Sequence, residues 1–181
     1  MICTRHENYS FNAPGTEFDV ESVAAFPWNG WQASSGISGN LGLEYAACWT
    51  GGAMALVSSL RQRTLKGGHA KAHLGAMTAL VCSMQLMLRW GAEQIDADPT
   101  NRSGQLFPVA LMVRHQIERG CTEILDRFGR TLGPRPYAFE RDNARRIAEL
   151  TLYIRQCHAE RDLEELGDYL EEHPEFLQKF N

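Results

Sequence analysis

A chain of 181 residues with a formal charge of −4 and an isoelectric point near 5.9 lacks the concentrated basic face that binds phosphate backbones, which excludes a nucleic-acid binder as the first expectation. Its length suffices for one hydrophobic core that buries roughly 70% of the unfolded surface, so neither a disulfide nor a metal staple is needed. Cys3, Cys48, Cys82, Cys121 and Cys157 are odd in number and lack CxxC spacing, so they read as buried thiols in a reducing compartment.

No signal-peptide pattern opens the sequence and no apolar run approaches the ~20 residues that cross a bilayer. The expected location is cytoplasmic, away from membranes. Residues 1–41 are rich in Gly, Asn, Ser, Pro and aromatics and show no sustained period, which predicts irregular or short extended structure. Phe18, Val20, Phe26, Trp28 and Trp31 could fold back as a hydrophobic strap, or the segment could be the remnant of a preceding domain.

From Leu43 the period becomes helical. Ala46, Trp49, Ala53, Leu56 and Leu60 trace one apolar stripe. Gly51 and Gly52 interrupt it, and at about 1 kcal/mol each relative to alanine they suggest close approach by another backbone or by a ligand. Lys66, Gly67 and Gly68 form a stop and a turn. Leu74, Met77, Val81, Met84, Leu88, Gly91 and Ile95 then alternate three and four steps, the seam that helix bundles require. Asp98 to Ser103 is a loop by composition, and Leu106, Ala110, Val113, Ile117, Cys121, Ile124 and Phe128 make a third stripe.

The stretch from Phe128 to Gly167 carries the most information. Gly129, Gly133, Pro134 and Pro136 forbid a continuous helix there, because proline lacks an amide donor and restricts the residue before it. Arg127, Arg130, Arg135, Arg141, Arg145 and Arg146 surround that break. A helix restarting near Tyr137 would offer free amides to a pyrophosphate. The alternative is a helix connection whose arginines pair with Glu140, Asp142 and Glu149 on a wet surface.

A fourth helix uses Ile147, Leu150, Ile154 and Cys157 and continues or restarts through Leu163, Leu166 and Leu170. Between Glu160 and Glu175 eight acidic side chains face one basic residue, Arg161, which marks a solvated face or a surface that meets a neighbouring subunit's basic segment. Four helices of 20 or more residues with short loops imply an all-α, up-down four-helix bundle over residues 42–175, with 176–181 as a tail. No metal site is expected: HAKAH at His69 to His73 lacks a metalloprotease glutamate, and no Glu-x-x-His occurs.

The helix GLEYAACWTGGAMALVSSLRQR and the turn FGRTLGPRPYAFERDNARR resemble the C-terminal helical domain of the acyl-CoA dehydrogenase family, with a likeness running from Leu41 to Gly167. That resemblance implies a flavoprotein oxidoreductase in which FAD lies between this bundle and two further domains. Either a fragment or a split subunit is implied, with a partner chain supplying the N-terminal and β domains. It further implies a homo-oligomer whose Leu132 to Tyr137 turn reaches an adjacent subunit's FAD, and an acyl-CoA-like substrate.

On the same grounds Gly133, Arg130 and Arg135 are candidate FAD contacts. The family's base is commonly a glutamate in a Tyr-Glu-Gly context of the last helix, yet Tyr153 to Cys157 contains no acid. Glu160 could serve only after a slip, whereas Leu43-Glu44-Tyr45 falls near the Leu-Glu-Arg position that other members use, so Glu44 is the preferred base. The last helix is also similar to that of flavin monooxygenases of the superfamily, which need no such base, and there Arg155, Gln156 and His158 would lie near the flavin or substrate. A reading from a different class is a non-catalytic helical module retained for oligomerisation.

Overall fold

The computed structural model describes residues 11–13, 16–18 and 43–180. A short hairpin comes first: β1 (Phe11–Ala13) pairs antiparallel with β2 (Thr16–Phe18), with Phe11 opposite Phe18 and Ala13 opposite Thr16. The expected strap through Val20, Phe26, Trp28 and Trp31 lies outside the described residues, as does Cys3. From residue 43 onward all regular structure is helical. It comprises α1 (Leu43–Arg61), α2 (Gly68–Ala97), α3 (Leu106–Leu132), the single turn α4 (Arg135–Ala138), α5 (Arg141–Tyr153) and α6 (Glu160–Glu172), with 3-10 segments at Ile154–Gln156 and Pro174–Phe180.

Local chemistry sets the boundaries. α1 has Glu44 in its first turn and Arg61 in its last, each matched to the sign of the helix dipole at its end. Before α3, the Asp98 carboxylate accepts the amides of Arg102 and Ser103, both at 2.9 Å, and Asn101 Oδ1 accepts the Leu106 amide at 3.1 Å. Those donors, Ser103 foremost, hold the Asp98 carboxyl below its ordinary range. α3 stops at Gly133, which adopts φ 64° and donates its N–H to Gly129 O at 2.8 Å.

The three predicted stripes meet in one core. Trp49, Leu56, Met77, Val113, Ile117, Ile124 and Phe128 are all fully buried. α1 is enclosed on more than one face, packing against α2, α3 and α5. A Cβ on Gly91 would lie 3.2 Å from Val113 and 3.7 Å from Leu43, and one on Gly120 would lie 2.6 Å from Met84 Sδ. Together with Glu140 bonding to Arg63 and Tyr153 packing edge-on to Tyr45, these contacts make the directions of α1, α2, α3 and α5 alternate.

Several expectations are corrected. The fourth helix has 13 residues and the first 19, rather than 20 or more, because α5 tightens into the Ile154–Gln156 turn and the chain becomes extended at Cys157. The helix does not restart at Tyr137: α4 is one turn, and Phe139 and Glu140 interrupt the chain before α5. The close neighbour of Gly52 is a side chain rather than a backbone, since a Cβ there would lie 3.3 Å from Leu150 Cδ1. Cys48 and Cys82 are exposed, while Cys121 and Cys157 are buried. Phe176 packs into the core, so the packed unit does not end at residue 175. No helix among the described residues is long and apolar enough to cross a membrane.

Candidate functional site

Polar atoms buried without a hydrogen-bond partner are uncommon and call for explanation. Among the described residues they fall at two ends of the helical unit. Glu44 Oε2, Trp49 Nε1 and Arg114 Nε lie where α1 begins, and Arg63 Nε, Asn143 Oδ1 and Arg146 Nε lie where α5 begins. The rise of an α-helix separates Glu44 from the end of α1 by about 26 Å.

At the first end, α3 carries Arg114, Glu118 and Thr122 in one row at spacings of four. Arg114 Nη2 donates to Asp162 Oδ2 at 3.2 Å and to the Gln156 carbonyl at 3.4 Å. Arg155 Nη2 donates to Glu118 Oε1 at 3.2 Å, and the Thr122 hydroxyl donates to the same oxygen at 2.8 Å. These bonds bring the 154–162 segment onto α3 beside Glu44. Burial raises the Glu44 carboxyl above its ordinary value, against the opposing pull of its own backbone hydrogen bond and the Arg114 charge. Burial likewise pushes the Cys121 thiol to about 12, with Glu118 adding to the rise, and it raises Cys157. Both thiols therefore stay protonated and unreactive at neutral pH. Tyr153 stands edge-on to both Tyr45 and Trp49, at 6.2 Å between ring centres in each pair, and forms an aromatic wall beside the first turn of α1.

At the second end several amides of the turn are already used. Gly133, Tyr137, Ala138 and Phe139 all donate within the turn, and Pro134 and Pro136 have no N–H. Tyr137 folds back over Gly129, where a Cβ would meet its hydroxyl at 2.5 Å. The amides still open near the corner are at Arg135 and in the uncapped first turn of α5, beside the arginine side chains. Arg130 bonds Asp126 at 2.7 Å, while Arg135 stays 79% exposed and only 3.8 Å from Glu140. Glu140 is engaged chiefly by Arg63, whose Nη1 donates at 2.9 Å, and its carboxyl is lowered to about 2. Of the acidic partners expected for the arginines, Glu140 pairs with Arg63 and Arg135 and Glu149 with Arg145, whereas Arg127 and Arg130 use Glu123 and Asp126 of their own helix. Arg146 is 6% exposed and its Nε has no partner.

The predicted site residues thus divide. Glu44, Arg155 and Gln156 share the first end; Gly133, Arg130 and Arg135 occupy the second. Gln156 contributes its carbonyl, since its side chain is exposed. Glu160 is exposed at the start of α6, and the buried acid of that turn is Asp162, at 4%. Arg114, Glu118 and Asp162 were not anticipated. Arg114 and Glu118 carried a signal of position, though not of burial, because an i, i+4 row of Arg114, Glu118 and Thr122 borders the apolar stripe at Val113, Ile117 and Cys121, whereas Asp162 carried none.

No protein-family model matches the chain, and neither a curated protein nor a solved structure matches it. At the corner the donors without a partner among the described residues include the buried Arg63 Nε and Arg146 Nε, the kind of group that binds phosphate.

Proposed function

We propose that the helices form an up-down four-helix bundle serving as the helical domain of an acyl-CoA dehydrogenase-like flavoprotein, with Glu44 as the base that takes an α-proton from an acyl thioester. The single observation that carries this reading is the half-buried Glu44 carboxyl, with one oxygen unpartnered and its proton affinity raised. A base for a weakly acidic carbon needs just such a carboxylate, poised toward the working pH. The two glutamate positions suggested by the resemblance, the α1 start and the last-helix turn, also meet at this end. The bound flavin would supply a hydride acceptor. Tyr45 and Tyr153 would exclude water from the Glu44 carboxylate, and Arg63 and Arg146 would hold phosphate oxygens of a coenzyme in a neighbouring copy. The other walls of the flavin pocket come from outside the described bundle.

The test is co-expression with the products of adjacent coding regions, followed by flavin spectroscopy. The isolated chain is expected to bind FAD weakly, and a flavin-loaded complex should bleach on adding acyl-CoA. Glu44→Gln should slow bleaching by at least ~10²-fold, the range of general-base removal, and leave the bound flavin spectrum unchanged. Bleaching at the wild-type rate in that variant rejects the assignment.

A non-catalytic assembly module is the second reading. It is favoured by Phe139 and Leu152, which are 85% and 74% exposed. Under it, sedimentation finds a stable homo-oligomer and no complex carries flavin.

A further inference from the structure

A carboxylate within electrostatic reach of a guanidinium in a partly dry site ordinarily forms a charge-assisted hydrogen bond with it. Glu44 and Arg114 do not. Glu44 Oε2 and Arg114 Nε are each buried, each lacks a partner, and the Arg114 charge still acts on Glu44. The cause lies on α6. Asp162 accepts from Arg114 Nη2 at 3.2 Å, and the Gln156 carbonyl accepts from the same nitrogen at 3.4 Å. Two bonds to one nitrogen fix the plane and direction of the guanidinium. Asp162 is itself held: Cys157 Sγ donates to Oδ2 at 3.8 Å and His158 Nδ1 lies 3.6 Å from Oδ1.

We infer that Asp162 is a positioning residue for Glu44: by tying Arg114 to α6 it keeps the guanidinium off Glu44 and leaves that carboxylate open to receive a proton. The inference rests on the reading of Glu44 as a proton acceptor. Without Asp162, Arg114 would be released toward Glu44, whose Oε2 is unfilled. A direct Glu44–Arg114 pair would lower the Glu44 pKa by about one to three units, weakening the base ~10- to 1000-fold in proton affinity. Among the described residues the ionisable groups around this end include Arg114, Glu118 and Cys121 on α3, Tyr153 on α5, Arg155, Cys157 and His158 on the turn, and Asp162 on α6; Tyr45 belongs to α1 itself. Arg155 and Thr122 both bond Glu118 at Oε1, so Glu118, four residues from Arg114 on α3, is the rival acceptor, and Asp162→Asn is also read in a Glu118→Gln background, where the fall in the Glu44 midpoint should be at least as large.

The experiment is a carboxyl-carbon NMR titration of Glu44 in the full chain, its signal assigned by its loss in Glu44→Gln. Asp162→Asn is expected to lower the Glu44 midpoint by about one unit or more, and Asp162→Glu to restore it. In an Arg114→Met background Asp162→Asn should move the midpoint little, because the effect passes through the guanidinium. An unchanged midpoint in folded Asp162→Asn overturns the inference. Should that variant not fold, the wild-type guanidinium spectrum decides: slowed Arg114 rotation with contacts to Asp162 supports the arrangement, and contacts to Glu44 overturn it. These readouts need neither flavin nor substrate. A midpoint that responds as expected, beside a flavin complex in which Glu44→Gln stays active, rejects the proposed function and keeps the pairing.

Discussion

Glu44 and Glu140 are carboxylates displaced in opposite directions, and they give opposite pH signatures. Burial raises Glu44 in the folded state above its unfolded value, so its ionisation works against folding. The stability it permits is complete below the ordinary carboxylate range and declines as pH rises through the folded value. Glu44→Gln should therefore stabilise the fold at pH 7 by about 1 kcal/mol, the scale of one unsatisfied buried polar group. The gain should disappear below about pH 4, and thermal unfolding across that range measures it. Such stabilisation by removal is what a site retained for chemistry predicts. Glu140 lies at about 2 because Arg63 binds it, so its contribution is complete above the unfolded carboxylate range and is lost as pH falls toward 2. Glu140→Gln should cost about 1 kcal/mol at pH 7 and nothing near pH 2, read from the same unfolding curves. The cost is small because both side chains are about a quarter exposed, at 28% and 23%, and water screens the pair.

At the scale of elements, packing between α1 and α5 depends on Gly52. The Leu150 side chain occupies the space a Cβ would need, at 3.3 Å. Gly52→Val should destabilise by about 1–3 kcal/mol through overpacking. Adding Leu150→Ala should recover part of that loss, and urea unfolding of the double-mutant cycle measures the coupling. The glycine pair was legible as a close-approach signal, but its partner was not, since a single sequence does not say which helix arrives. The same division holds elsewhere. The stripes of α1, α2 and α3 were readable because their apolar spacing survives packing, as with Met77, Met84, Gly91 and Ile95, all buried. The length of α5 was not, because Ile154 and Cys157 are buried and continue the apolar spacing while the backbone has already left the helix. Burial of Glu118 and Asp162 was equally hidden. A charged residue is seldom buried without a partner, and the partners here, Arg155 and Arg114, stand 37 and 48 positions away by number.

Among the described residues the unfilled polar atoms separate into an end that holds the one acid, Glu44, and an end with Arg63 and Arg146. One chain cannot present both to the same reacting atoms, because α1 stands between them. In an assembly where copies alternate, the cationic corner of one would serve a coenzyme whose reactive part lies at the acid end of another. Under that proposal an anion from the assembly would meet Arg146, a buried arginine with no acidic partner among the described residues. Arg146 is 6% exposed, and an uncompensated guanidinium opposes folding unless an anion arrives. Inorganic pyrophosphate should then raise the thermal midpoint of the wild-type chain with the logarithmic concentration dependence of a ligand that binds only the folded state. Arg146→Met should match or exceed wild-type stability in phosphate-free buffer and lose most of the pyrophosphate response. Arg130→Gln, whose guanidinium is 67% exposed and already bonded to Asp126, should keep it. An equal pyrophosphate response in all three proteins would mean that the corner binds anions through general surface charge, and that the buried arginine has another role.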